Sequence, residues 1–145
     1  MERMAPGVLC RDGFLGGDDR PLGEILDADR AAVEAAGLTH EEIVRRLGEI
    51  LRLAMARYGA PVEVGGGLTA VYVEAMGRIP CPWGGHGVFA KGEVRLADRL
   101  TGRQIVFTPL SVHLVDEHGF YQGKGSRYRL EPRLLAELLR RNDKK

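Results

Sequence analysis

Cysteine is scarce in this chain. Its two cysteines, Cys10 and Cys81, are too few and too far apart for the disulfide scaffold of a small secreted domain. Long apolar runs are missing as well. No stretch approaches the roughly 18 residues of a membrane span, and the opening MERMAPGVLC lacks the apolar core of a signal peptide, so the expected compartment is the cytoplasm and no membrane partner is expected. Excess charge of one sign is absent too: 21 basic and 20 acidic residues leave a net charge of +1, which excludes an acidic disordered chain and a globally basic nucleic-acid coat. Tryptophan occurs once, Asn once, and Gln and Ser twice each. The basic residues are 17 Arg against 4 Lys, a skew that GC-rich coding and heat adaptation explain equally well.

What is present is one domain's worth of chain: 145 residues, 44% hydrophobic, with no internal repeat and no low-complexity segment. Twenty glycines divide it into short elements. Asp12-Gly13 between two apolar pairs predicts a short N-terminal hairpin. Pro21 opens a helix that Gly37 ends. Thr39 with Glu42 forms a capping signal for a second helix, along which Ile43, Leu47, Ile50, Leu51 and Ala54 recur at helical spacing until Gly59 and Pro61. After Pro61 the apolar period falls to two. Strands are expected around residues 62–64, 68–76, 88–97 and 105–107, the third marked by Val94 and Leu96 alternating with Glu93 and Arg95. Residues 108–119 alternate like a strand, yet Thr108, Pro109 and Gly119 are placed as the ends of a short helix, which is the assignment preferred here. Pro132 opens a last helix. Helices and strands fall in separate runs, so the expected fold is α+β: an αα-hairpin on an antiparallel sheet of three or four strands, with short C-terminal helices, in a single domain.

Three features bear on function. The loop 77–87, GRIPCPWGGHG, surrounds Cys81, Trp83 and His86 with prolines and glycines. Cys81 and His86, with His113 and His118, imitate a two-plus-two zinc ligand set. The imitation has a flaw, because residues five apart on a helix point 140° apart, so His113 and His118 converge only if the helix breaks before His118. His113 and Glu117, at i and i+4, share a face and offer a mixed alternative. Thirdly, residues 119–130 interleave Phe120, Tyr121 and Tyr128 with Lys124, Arg127 and Arg129 on a glycine-loosened backbone, a pattern suited to stacking bases and meeting phosphates. The positive surplus gathers here, with 8 basic and 3 acidic residues in 119–145.

The leading expectation is a non-enzymatic module for an anionic ligand, a phosphate-bearing small molecule or nucleic acid. It would use Trp83, His86, His113, Lys124, Arg127 and Tyr128, where loop 77–87 meets segment 113–130. The alternative is a zinc-binding protein or metal-dependent hydrolase drawing on Cys81, His86, His113, Glu117 and His118, with zinc as its cofactor. A third is an interaction protein that self-associates through the αα-hairpin or a sheet edge. All three are compatible with a homodimer. Cys–His nucleophilic catalysis is disfavoured, since Cys81 lies between Pro80 and Pro82 with no helix N-terminus to activate it.

Overall fold

Apolar side chains spaced for two faces of helix and one face of sheet generate the architecture. The computed structural model describes residues 14–83 and 87–142; Cys10, His86 and the Asp12-Gly13 hairpin lie outside them. The elements run α1 (Leu22–Ala35), α2 (His40–Met55), β1 (Val62–Gly65), β2 (Leu68–Val73), β3 (Arg78–Pro80), β4 (Val88–Ala90), β5 (Glu93–Asp98), β6 (Gln104–Phe107), α3 (Pro109–His118) and α4 (Pro132–Asn142). This is the α+β arrangement expected. Strands β1, β2, β5 and β6 form one antiparallel sheet in that order, and β3 and β4 pair separately as a two-stranded ribbon.

The ribbon is an excursion. The chain leaves the sheet after Val73, makes β3 and β4, and returns at Glu93, which pairs with Val73. The strand expected over 88–97 is therefore two strands in two sheets. Gly92 makes the turn between them: a Cβ there would stand 2.1 Å from the Tyr72 hydroxyl oxygen, so a larger residue would displace that ring.

Alternation along the sheet buries Leu68, Ala70 and Tyr72 of β2 beside Val94 and Leu96 of β5. Helix α2 covers them with Ile43, Leu47, Ile50 and Ala54, and α4 adds Leu135, Leu138 and Leu139. Thr39 caps α2 by accepting from the Glu42 backbone N–H at 3.1 Å. α1 leads into α2 through a turn at Gly37 but rests on α4. A second apolar cluster lies apart from this core: Phe14, Ile25, Ile79, Cys81, Leu110, Leu114 and Phe120, flanked by Trp83 and Phe89. Helix α3 stands between the two, giving Val115 to the first and Leu110 and Leu114 to the second. Among the described residues, no helix is long and apolar enough to cross a membrane.

Candidate metal centre

Helix α3 begins with a complete capping box. Thr108 accepts from the Ser111 backbone N–H, and the Ser111 hydroxyl accepts from the Thr108 N–H. The helix continues through His118 and stops at Gly119, whose left-handed φ of 60° lets the chain turn away. The break thus comes after His118, not before it, and the two histidines converge all the same. On a helical wheel the direction midway between positions 113 and 118 is that of Leu110 and Leu114, whose side chains fill the second apolar cluster. The imidazoles flank that stripe, and His118 leans back toward the helix N-terminus as helical side chains do. Their ring centroids are 5.6 Å apart and nearly perpendicular.

Cys81 reaches the same place from the ribbon. It follows β3 directly, between Pro80 and Pro82, and is fully buried, with Sγ 3.5 Å from His118 Nε2. One ligand atom each from Cys81, His113 and His118 lies within 4.8 Å of the other two. Aromatic neighbours fix both rings. Trp83 stacks on His118 with centroids 3.9 Å apart and planes 9° from parallel, and its edge meets Phe120; Phe89 of β4 packs on His113 at 4.6 Å.

One separation matches a chemical template. In tetrahedral zinc with Zn–S about 2.3 Å and Zn–N about 2.0–2.1 Å, a sulfur and an imidazole nitrogen stand about 3.6 Å apart and two nitrogens about 3.4 Å. The Cys81–His118 edge already has that length. The His113 ligand atom lies within 4.8 Å of the other two, near enough for a shift of its ring to close the triangle. A thiolate with two imidazoles and no carboxylate is a borderline-soft set, suited to zinc rather than magnesium or calcium.

The other expected residues go elsewhere. Glu117 is exposed at the helix end and is not among the cluster formed by Cys81, His113 and His118. Arg127 and Tyr128 turn to Glu93, at 3.3 Å and 2.8 Å. Burial pushes the Glu93 carboxyl up, but hydrogen bonds from Arg95 and Tyr128 and the charge of Arg127 outweigh it and hold the pKa below the usual carboxylate value. Lys124 is exposed, with its backbone N–H on Asp18 Oδ2.

Nor is segment 119–130 loose. Gly123 is there for contact, not freedom: a Cβ would fall 2.3 Å from the Leu15 carbonyl oxygen, and the Gly123 N–H donates to the Phe14 carbonyl. Arg129 is buried on Asp29 of α1 in a bidentate ion pair, and Tyr121 hydrogen-bonds His40 at 2.7 Å. Sequence reasoning singled out Arg129 and Tyr121 but missed their partners Asp29 and His40. Asp29 carried a signal, an acid at the position four after Ile25 and four before Val33 on a buried stripe.

No family model matches the chain, and searches of curated proteins and of solved structures return no match.

Proposed function

We propose that this protein is a zinc-binding domain whose ion is held by Cys81, His113 and His118. The observation that carries this is the meeting of one thiol and two imidazoles within 4.8 Å, with one edge at tetrahedral length. A bound zinc would stabilise the thiolate form of Cys81 within this apolar cluster. Three protein donors leave the ion a fourth coordination position, the form zinc takes where it activates water, so hydrolysis is the chemistry to look for once metal is found. Trp83 and Phe89 hold the rings in place for capture, the role that outer-shell partners play at metal sites.

The anion-binding reading through Lys124, Arg127 and Tyr128 has less behind it, because two of those side chains already serve Glu93.

Untagged protein prepared without chelator should carry about one zinc per chain by mass spectrometry, lost in Cys81→Ser and His118→Ala and kept in Glu117→Gln. Cobalt loading gives a second readout. Trp83, the sole tryptophan, stacks on a proposed ligand, so its emission should be quenched as cobalt fills the site. Wild-type protein that takes up no metal after zinc incubation and washing, or a Cys81→Ser variant that retains it, would overturn the assignment.

A further inference from the structure

Next to the ribbon lies a pocket that the zinc reading does not use. Its volume is about 170 Å³, similar to the roughly 150 Å³ cavity size that accepts a benzene ring, so it suits a ligand of about six heavy atoms. Its lining combines apolar Phe14, Ile79 and Leu110 with polar Lys91, Thr108, Gln122 and Tyr128.

Gln122 is the informative residue. It is 4% exposed and holds a left-handed backbone, φ 70°, that a non-glycine residue seldom adopts. Two bonds keep it there: Arg129 donates to its carbonyl at 2.7 Å, and the Ser126 hydroxyl to its side-chain oxygen at 2.6 Å. Both oxygens are thus occupied, while the side-chain NH₂ has no hydrogen-bond partner among the described residues and sits on the pocket wall. An amide donor with no protein partner, on a residue held in a left-handed conformation in the pocket lining, is available to an acceptor. Lys91, exposed at the rim between β4 and Gly92, adds a cation. The Tyr128 hydroxyl donates to Glu93, so toward the pocket it presents only oxygen.

We propose that this pocket binds a small aliphatic monocarboxylate. The carboxylate would meet the Gln122 amide and the Lys91 ammonium, and a short chain would lie along Phe14, Ile79 and Leu110. A phosphate dianion fits less well: it would gain nothing from the apolar lining and would sit beside the Tyr128–Glu93 pair, whose carboxylate repels a second charge. The proposal stands independently of zinc.

Butyrate is the probe, titrated into chelator-treated protein by calorimetry and ligand-observed NMR, with 1-butanol and inorganic phosphate as comparisons. Butyrate should bind with a Kd on the order of millimolar, 1-butanol at least about tenfold more weakly. Lys91→Met should weaken butyrate about tenfold. Gln122→Glu, which keeps the acceptor for Ser126 but replaces the donor with a negative oxygen, should abolish binding in folded protein; should it fail to fold, Lys91→Met decides alone. Butyrate that does not bind wild type, binds Lys91→Met equally, or is displaced by equimolar phosphate would overturn the proposal.

Discussion

His40 shows how a single side chain sets a pH dependence here. It lies between Tyr121, which hydrogen-bonds Nδ1, and Gly119, with Arg30, Glu34 and Asp29 of α1 as its charged neighbours. Burial first, then the charge of Arg30, lowers its pKa below the usual imidazole value of about 6.5. The folded state therefore binds its proton less readily than the unfolded chain. This contribution to stability is complete above about pH 6.5 and is lost as pH falls below it toward the folded pKa. Urea unfolding between about pH 5 and 7.5, with chelator present, should show wild type losing stability on acidification more steeply than His40→Gln. Equal slopes would place the effect on other groups. At this scale the sequence exposes chemistry but not proximity. Cys81, His113 and His118 stand out by residue type, whereas Lys91 and Gln122 share no motif and meet only because the fold brings them to one pocket. Glu117 had the better helical spacing to His113, but being four residues away on a helix does not turn a side chain toward a third element.

Elements were legible where one face is wet. α2 has a polar side and a Thr39 cap, and its periodicity predicts it directly. α3 is apolar on both flanks because it separates two clusters, so its sequence alternates ambiguously and only the end signals Thr108, Pro109 and Gly119 identify it. The β3–β4 ribbon was illegible for another reason: its strands have three residues each, too short for a period to register. Segment 119–130 was misread because glycine suggests looseness, while here it permits backbones to touch. Gly123→Ala should destabilise the fold by about 2 kcal/mol or more through the clash with Leu15, and Gly17→Ala, with nothing within 4 Å of its Cβ position, by less than about 0.5 kcal/mol. Chemical denaturation of the two variants side by side checks this. A harmless Gly123→Ala would mean that the 14–18 and 122–126 segments do not interlock in solution.

For the molecule as a whole, the proposed ion would join parts that the chain keeps separate, Cys81 from the ribbon and both histidines from α3. Zinc should then raise stability with concentration, by about 2.7 kcal/mol at a hundred times its Kd. Removing it should speed amide exchange in β3, β4 and the last turn of α3, and leave β1, β2, β5 and β6 nearly unchanged. Hydrogen exchange with and without chelator tests both statements. Uniform acceleration across the large sheet would instead tie the metal to the main core.

The pairing of Val73 with Glu93 carries a further consequence. Residues 74–92 depart from and return to adjacent points of one antiparallel pair, so a tight turn in their place would leave the four-stranded sheet continuous. The ribbon is in that sense a cassette. It brings the thiol and Lys91, and the body brings the imidazoles and Gln122, so both proposed sites lie at the seam between them. If the two proposals hold, exchanging the insert would change the thiol and the Lys91 cation while leaving the sheet and α3 in place.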